Sequence, residues 1–559
     1  MNLRKPLAAS VLALTCLAGL AYLNRLTILK YSLGWYTDIQ HPRGPNQAVP
    51  WVAGPASAGK PLGQRPPNII VILADDLGYN DVTTNGGGYA DLGAPTPNID
   101  AIGRDGVRFD QGYAAAPICT VSRAALMTGR YPWRFGVEFT PTPGAMAKVA
   151  EPLYADPDRI YPIVLDKAKA AEAKNFNDLG MPASEQTVAE LLKARGYHTL
   201  HIGKWHLGST PDMRPNNQGF DETLFMESGL YLPQNSKDVV NSKQDFDPVD
   251  KFLWPNMRFG VSYNAGKYVD AKWFEPSKYL TDYFTDEAVT AIKQNRNQPF
   301  FLYLAHWGVH TPLQASKADY DALPNIPDHR RRVYAAMVRS VDRSVGRVLQ
   351  TLKDEGLDDN TIVIFTSDNG APNYIGLPEV NQPFRGWKLT LFEGGLRVPY
   401  VAKWPGHIPP GTRYQQPVSN IDILPTVVAA AGGAVPTDRV MDGVNLLPFL
   451  AKDAGPQPQR TLFWRDGPYR AVQDQGWKLI VSERPRKDWL FDLKNDPTEK
   501  TNLAALQPEK LAQLKALLKA HHANMPPPLW PSFLEMPVMI DKTLDKKQAA
   551  TDEYTYWVN

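Results

Sequence analysis

The sequence has little cysteine, almost no net charge and no glycosylation signal. Its 559 residues include two cysteines, of which Cys16 lies in an apolar N-terminal stretch. The remaining thiol, Cys119, cannot form a disulfide within an exported chain, so it bridges another molecule, is a free reactive thiol, or is converted to another group. A formal net charge of +2 does not favour a nucleic-acid partner. The absence of an Asn-x-Ser/Thr sequon favours a bacterial periplasm over a eukaryotic secretory route.

The N-terminus has the pattern of a targeting segment. Arg4 and Lys5 precede an uncharged apolar stretch from Leu7 to Leu23, which is near the lower length limit for spanning a bilayer. The positive flank places the start of the chain in the cytoplasm. Both a cleaved signal peptide and an uncleaved anchor fit residues 1–23. Either would export the rest of the chain to the periplasm or beyond, and the anchored form would stay at the inner membrane.

The chain after this leader divides by composition and periodicity. We expect a linker, a large domain, a C-terminal subdomain and a tail at residues 24–67, 68–432, 433–530 and 531–559. The linker, with scattered Pro, Gly and Gln, is either a stalk or a wrapping segment. In the large domain, buried strands such as Asn68–Leu73 and Thr361–Thr366 alternate with helices, which predicts an α/β fold with a mainly parallel sheet. Segments 135–185 and 225–280 break this alternation and predict irregular surface or substrate loops.

Acidic and amide side chains follow two of the predicted strands. Asp75 and Asp76 come directly after the first strand, and Asp368 and Asn369 follow the strand that begins at Thr361. In open α/β sheets, ligands collect at the carboxyl ends of the strands. An isolated Asp pair is more often a helix cap beside a solvated carboxylate. Two such sites together can instead form an oxygen cage for Ca²⁺ or Mg²⁺.

Basic and imidazole side chains follow two further predicted strands. Lys204 and His206 follow the strand at 199–202, and His310 follows the strand at 299–305 in a His-x-Pro context. A single such residue would more often be structural. Several at strand ends can face a bound anion.

Together these segments resemble the signatures of the type I sulfatases, which belong to the alkaline phosphatase superfamily. The run CTVSRAALMTGR at 119–130 resembles the family's Cys-x-Pro-Ser-Arg followed by Thr-Gly-Arg. Four more segments match in order, namely ADDLGY at 74–79, GKWHLG at 203–208, SDNG at 367–370, and GWK with EGGLRVP at 386–399. The resemblance implies an alkaline-phosphatase-like sandwich with a smaller C-terminal antiparallel subdomain, and it implies hydrolysis of sulfate esters.

The resemblance also implies a modified nucleophile and a bound cation. In the family, a maturase oxidises the cysteine, here Cys119, to formylglycine, whose hydrate is the nucleophile. The family's metal ligands carry over to Asp75, Asp76, Asp368, Asn369 and residue 119, with Ca²⁺ preferred and Mg²⁺ as the alternative. Its cationic groups, which neutralise charge on the sulfate oxygens, carry over to Arg123, Lys204 and Lys388.

The family's proton transfers carry over to the remaining positions. One hydroxyl of the hydrate attacks sulfur, with Asp368 as the base. His310, together with Lys388, protonates or stabilises the leaving alcohol. His206 then removes the proton from the second hydroxyl, sulfate is expelled, and the aldehyde returns.

One position departs from the family pattern and keeps other functions open. Val121 stands where the family usually has proline. We expect an exported sulfatase that acts on aryl or carbohydrate sulfates, whose partners are that sulfated substrate and the maturase. The alternatives are a phosphodiesterase or phosphonate hydrolase on the same fold, or an unmodified protein that binds sulfated glycans at the envelope.

Overall fold

The computed structural model describes residues 34–142, 159–226, 229–269, 272–452 and 454–559. The predicted leader and Cys16 lie outside these residues. Within the described part, no helix is long and apolar enough to cross a membrane.

Strands and helices alternate along most of the described chain. The strands, β1 to β22, are Arg43–Gly44, Asn68–Ala74, Val107–Phe109, Gly112–Tyr113, Val164–Leu165, His198–Gly203, Glu222–Met226, Val239–Ser242, Val261–Ala265, Trp273–Phe274, Phe300–Ala305, Leu313–Ser316, Thr361–Ser367, Tyr400–Lys403, Thr412–Tyr414, Val418–Ser419, Leu462–Asp466, Tyr469–Asp474, Trp477–Glu483, Arg486–Asp492, Leu534–Met539 and Tyr554–Val558. The α-helices whose two ends are described, α1 to α11, are Pro97–Arg104, Cys119–Thr128, Lys167–Ala171, Val188–Lys193, Pro248–Asn256, Leu280–Gln294, Lys317–Asp321, His329–Asp354, Glu393–Leu396, Ile423–Ala430 and Pro508–His522.

A central sheet of eleven strands organises the molecule. Its order is β1-β10-β9-β7-β6-β11-β2-β13-β14-β3-β15. The middle strands β6, β11, β2 and β13 are parallel neighbours, and every residue of β2, β11 and β13 is buried. Continuous apolar strands of this kind belong in a sheet that is covered on both faces. The predicted α/β class with a mainly parallel sheet is confirmed.

The register of the middle strands brings their carboxyl ends to one line. Ala74 of β2 pairs with Ser367 of β13, and Leu73 of β2 pairs with Ala305 of β11. Ala305 in turn pairs with Gly203 of β6. The residues that follow these four strands therefore emerge side by side at one edge of the sheet.

The long helix α8 packs against α6, α1 and strand β12. Asp328 caps its start by accepting the backbone N–H of Arg331 at 2.8 Å. The apolar residues at helical spacing are all buried, and they are Val333, Met337, Val341, Val345, Val348 and Leu352. The helix predicted over about 328–355 is confirmed, and its apolar stripe is buried inside the domain.

The segment 225–280 is more regular than the sequence indicated. It contains β8 and α5, and its strands β9 and β10 extend the central sheet beyond β7. The prediction of an irregular loop was wrong here. Strands of two to five residues between Pro, Gly and Asn carry too few alternations to be recognised from the sequence.

The described part of the predicted linker, residues 34–67, lies against the domain. Strand β1 pairs with β10 at the edge of the central sheet. Trp51 is buried, and its indole Nε1 donates to Glu287 at 2.7 Å. Of the two forms expected for this linker, these residues take the wrapping one.

The C-terminal part forms two further small sheets. Strands β17 to β20 form an antiparallel meander, and α11 packs on it through Leu514 and Leu518. The residues assigned to a tail, 531–559, are instead folded. Strands β21 and β22 form a hairpin, and β21 also pairs with β5 of the segment 135–185. The charges and prolines around these short strands obscured their pattern.

Candidate active site

Three carboxylates gather where β2 and β13 end. Asp75 and Asp76 follow β2, and Asp368 follows β13. The backbone N–H of Asp76 donates to Oδ1 of Asp368 at 3.2 Å. Asp76 has a φ of 62°, a left-handed conformation that is uncommon outside glycine and that turns the chain sharply after the strand. All three side chains are buried.

Helix α2 brings Cys119 to these carboxylates. Cys119 is the first residue of the helix, and its Sγ lies 3.5 Å from Oδ1 of Asp75 and 3.8 Å from Oδ1 of Asp76. Backbone N–H groups at a helix start lack acceptors within the helix and attract anions. Burial and the charge of Asp368 raise the pKa of the Cys119 thiol. The unmodified side chain is therefore a neutral thiol.

Two cations are fixed on Asp368 and Asp75. The Nε of Arg123 donates to Oδ2 of Asp368 at 2.9 Å, and the Nζ of Lys204 donates to Oδ2 of Asp75 at 2.6 Å. Arg123 also donates to the backbone carbonyl of Lys204 at 3.0 Å, which ties the ends of β6 and β13 to α2. The ammonium of Lys204 lies 4.7 Å from the ring centre of Trp307, within the range of a cation–π contact.

A third cation, Lys388, is fixed on Asp76. Its Nζ lies 2.7 Å from Oδ1 of Asp76. Asn369 donates to the same Oδ1 at 2.7 Å, and the hydroxyl of Tyr374 donates to Oδ2 at 3.3 Å. Burial opposes ionisation of Asp76, but the positive charges around it, that of Lys388 above all, outweigh burial and hold its pKa below the usual value.

The charged neighbours shift the pKa values of Asp75 and Asp368 in opposite directions. Burial alone would raise the pKa of Asp75, but the positive charges of Lys204 and Arg123 outweigh burial and lower that pKa. Burial and repulsion from Asp75 raise the pKa of Asp368. Three carboxylates thus face three buried cations, so the formal charges of these six side chains cancel.

Two neutral imidazoles face the same site. The Nδ1 of His310 lies 2.7 Å from the carbonyl oxygen of Thr311, which assigns its proton to Nδ1. The Nε2 of His310 lies 3.5 Å from Oδ2 of Asp76. Burial lowers the pKa of His310 to about 4, and burial and Lys204 lower the pKa of His206 well below its usual value. Among the described residues, Nδ1 of His206 has no hydrogen-bond partner.

The donor set fits a hard divalent cation. Ligand atoms of Asp75, Asp76, Cys119 and His310 lie within 4.8 Å of one another. The Oδ1 of Asn369 is buried beside them without a hydrogen-bond partner among the described residues. Carboxylate and amide oxygens are the ligands that Ca²⁺ and Mg²⁺ prefer, whereas thiol sulfur and imidazole suit softer metals. The sequence did not predict that His310 would lie this close to the carboxylates.

A cavity of about 830 Å³ opens over this cluster. Four of the predicted site residues line it, and they are Cys119, His206, His310 and Lys388. Arg123, Asp368 and Asn369 lie buried beneath it. All the residues that the sequence singled out for chemistry are therefore brought together in or directly under one cavity.

The structure adds residues to the site that sequence reasoning missed. Tyr374 donates to the carboxylate of Asp76, and Trp307 contacts the ammonium group of Lys204. Both residues lie within six positions of a motif identified in the sequence, and this proximity could have indicated them. Arg159 and the hairpin residues 536–548 form the far wall of the cavity. No motif marks that hairpin, and only the folded chain places it there.

Two protein-family profiles match most of the chain. The profile of the family described as Sulfatase matches residues 67–434. A second profile, described as N-sulphoglucosamine sulphohydrolase, C-terminal, matches residues 386–525.

Curated relatives and solved structures are similar over most of the chain. Human N-acetylgalactosamine-6-sulfatase is 36% identical over 422 residues, covering 74% of this chain and 70% of that protein. Human arylsulfatase A is 32% identical over 508 residues, covering 81% of this chain and 87% of that protein. The crystal structure of Ps i-CgsB is 32% identical with a TM-score of 0.67, covering 83% of this chain and 95% of that one. The PsFucS1 sulfatase from Pseudoalteromonas sp. is 26% identical with a TM-score of 0.63, covering 90% and 94%.

Proposed function

The chain belongs to the type I sulfatase family and is a sulfuric ester hydrolase, and from this premise we propose that it releases sulfate from carbohydrate sulfates at the cavity above Cys119. The observation that carries the proposal is the position of Cys119. It stands at a helix N-terminus beside buried Lys204 and Lys388, with His206 and His310 lining the same cavity. A nucleophile there would meet an anionic ester whose charge is already neutralised.

We assign Cys119 as the residue converted to formylglycine, whose hydrate would supply the nucleophile. Lys204 and Lys388 would bind the non-bridging sulfate oxygens, since their ammonium groups are held in place by carboxylates. Arg123 holds Asp368 in position through the 2.9 Å contact of its Nε, and Asp368 would accept the proton of the attacking hydroxyl.

The two histidines divide the other proton transfers between them. His310 faces the site through Nε2 because Nδ1 is engaged by the carbonyl of Thr311. We assign His310, with Lys388, to the leaving alcohol, and His206 to the second hydroxyl at position 119. Because the proton of His310 is on Nδ1, His310 would first take up a second proton at Nε2, which the negative charge of the bound ester favours, and would then donate it to the leaving oxygen. Each acts from a fixed position at the end of a central strand, which lowers the entropy cost of the transfer.

We assign a divalent cation, with Ca²⁺ preferred over Mg²⁺, to Asp75, Asp76, Asp368, Asn369 and residue 119. When bound, it would add positive charge beside a sulfate oxygen. The Oδ1 of Asn369, which has no hydrogen-bond partner among the described residues, and the carboxylate oxygens of Asp75, Asp76 and Asp368 support this assignment.

The substrate class and location follow from two further considerations. Relatives include an N-acetylgalactosamine-6-sulfatase, and Ps i-CgsB has been solved with k-i-k-neocarrahexaose. These names favour a carbohydrate sulfate over an aryl sulfate as the natural substrate. The apolar segment at 7–23, with its basic flank, supports export.

The test is sulfate release by protein co-produced with a formylglycine-generating maturase. We expect ion chromatography to detect sulfate from sulfated disaccharides in the presence of Ca²⁺, and none with the Cys119→Ala variant. A phenyl phosphonate turned over faster than every sulfate ester would instead favour a phosphonate hydrolase. Tight binding of sulfated glycans without sulfate release would favour a binding protein.

A further inference from the structure

The cavity over Cys119 has a second half that the catalytic cluster does not use. Residues 536–548, the end of β21 and the loop after it, form its far wall together with Trp557. This wall lies beyond residues 67–434 and 386–525, where the two family profiles match. The two family profiles therefore do not include these residues.

Hydrogen bonds and an ion pair hold the wall against the segment that follows β13, which carries Asp368 and Tyr374. The backbone N–H of Leu544 donates to the carbonyl oxygen of Asn373 at 3.1 Å, next to Tyr374. Arg385 donates to both carboxylate oxygens of Asp541, each at 2.6 Å. A bidentate guanidinium–carboxylate pair of this kind fixes the orientation of the loop.

The same loop positions Arg159 at the cavity. The backbone N–H groups of Ile160 and Tyr161 donate to Oε1 of Gln548 at 3.0 and 3.2 Å. The ring of Tyr161 packs on Tyr554 with centroids 4.0 Å apart. These contacts bring Arg159, which is far away in sequence, into the lining of the same cavity as Lys546 and Lys547.

Two buried donors at this wall have no acceptor in the part of the chain that the structure describes. The Nε of Arg159 and the indole Nε1 of Trp557 are buried without a hydrogen-bond partner among the described residues. Lys547 is exposed and makes no ion pair in the described chain, whereas Lys546 lies 3.2 Å from Asp545. Buried donors without acceptors cost free energy, which a ligand oxygen would recover.

The carboxylates that line the cavity do not compensate these cations. Asp545 accepts the hydroxyl of Thr543 at 2.6 Å and pairs with Lys546. Asp247 caps α5 by accepting the N–H of Val249 at 2.9 Å, and burial raises its pKa to about 7. The wall therefore presents an excess of positive charge that is separate from the catalytic cations Lys204 and Lys388.

We propose that Arg159 and Lys547, with Trp557, bind a second anionic group on the sugar next to the one that is desulfated. The preferred substrate is then an oligosaccharide fragment with a sulfate or a carboxylate on the neighbouring ring. This proposal rests on the proposed sulfatase function. Trp557 contributes its ring to the apolar face of that sugar and its N–H to an oxygen of the ligand.

The test compares three disaccharides that carry the same reactive sulfate. The neighbouring ring is neutral in the first, sulfated in the second and a uronic acid in the third. We expect the converted enzyme to have a kcat/KM about tenfold higher for at least one anionic neighbour, since hydrogen bonds to a charged group are stronger than those between neutral groups. The second and third substrates distinguish sulfate from carboxylate.

Arg159→Gln and Lys547→Gln should each lower kcat/KM for the preferred substrate about tenfold more than for the neutral one, mainly through KM. Lys519→Gln is the matched control, because Lys519 is exposed on α11 and does not line the cavity. This control should leave kcat/KM unchanged for both the preferred and the neutral substrate. Equal kcat/KM for all three disaccharides, or variants that weaken all three alike, would overturn the proposal.

A binding measurement separates this proposal from the catalytic one. In the Cys119→Ala background, calorimetry with the three disaccharides and Ca²⁺ should give a dissociation constant about tenfold lower for the anionic neighbour. Adding Arg159→Gln should abolish that difference. If no substrate releases sulfate but this difference is found, the catalytic proposal fails and the binding site stands.

Discussion

The ammonium nitrogen of Lys388 lies 2.7 Å from Oδ1 of Asp76, although 312 residues separate the two in the chain. Both side chains are buried. Burial alone would lower the pKa of Lys388, but Asp76 outweighs it and raises that pKa. The pair therefore holds a permanent cation at the floor of the cavity, and it joins the loop before β14 to the end of β2.

His310→Gln should impair turnover in a way that depends on the leaving group. A general acid matters most when the departing alcohol is a poor leaving group, and general acid–base catalysis typically contributes about 10²- to 10⁴-fold. We expect kcat on a sugar sulfate to fall about 10²- to 10⁴-fold, and kcat on 4-nitrophenyl sulfate to fall far less. Parallel steady-state assays on the two substrates test this. An equal fall on both would remove His310 from the role of acid.

Val121→Pro should fold and should raise the fraction of Cys119 that is converted. Val121 is the third residue of α2, where backbone N–H groups have no acceptor within the helix, so proline removes no helical hydrogen bond. The change restores the family signature that the maturase reads. Mass spectrometry gives the converted fraction, and thermal unfolding checks the fold. Lower conversion in a folded variant would contradict this prediction.

Calcium should stabilise the folded protein through Asn369. A ligand at a hundredfold excess over its dissociation constant stabilises a protein by about 2.7 kcal/mol. We expect Ca²⁺ to raise the unfolding temperature of the wild-type protein, and Asn369→Ala to weaken the apparent affinity by about 10- to 100-fold. Asn360→Ala is the control, since Asn360 lies just before β13, whereas Asn369 follows it. Equal shifts in both variants would exclude Asn369 as a ligand.

Glu499→Gln should flatten the pH dependence of stability between about pH 5 and 7. Lys478 lies between Glu393 at 2.8 Å and Glu499 at 2.9 Å, all buried. Burial outweighs Lys478 and raises the pKa of Glu499 from 4.5 to about 7. The folded state then binds this proton more tightly than the unfolded state, so its contribution to stability falls as pH rises through that window.

Between pH 5 and pH 7, the contribution of Glu499 should lower the free energy of unfolding of the wild-type protein by an amount on the order of 1–3 kcal/mol. The Glu499→Gln variant should lack this decrease. Urea unfolding at pH 5 and pH 7 measures it. Glu483→Gln is the control, because the side chain of Glu483 is 61% exposed. If the free energy of unfolding changes equally between pH 5 and pH 7 in the wild-type protein and in Glu499→Gln, the raised pKa is not that of Glu499.

The sequence predicted the centre of the molecule better than its margins. The strand ends that carry Asp75, Lys204 and Asp368 were recognisable because buried parallel strands are continuous apolar runs and the motifs follow them directly. The convergence of these side chains then follows from the register of neighbouring strands. Local pattern and global fold agree at this site.

The far wall of the cavity could not be predicted in the same way. It depends on contacts such as Ile160 with Gln548, which join residues 388 positions apart and leave no local period. Strands β21 and β22 contain proline, charged or aromatic residues in mixed order, so their pairing is set by tertiary packing rather than by propensity. The proximity of His310 to the carboxylates was missed for the same reason.

The central claim is that Cys119 is the converted nucleophile, and the most direct measurement is a mass spectrum of the tryptic peptide Phe109–Arg123. The protein should be produced with a formylglycine-generating maturase. We predict a peptide lighter by the change from thiol to aldehyde, which a hydrazide reagent traps and which the Cys119→Ala variant lacks. An unmodified cysteine in protein that nonetheless releases sulfate would contradict the account.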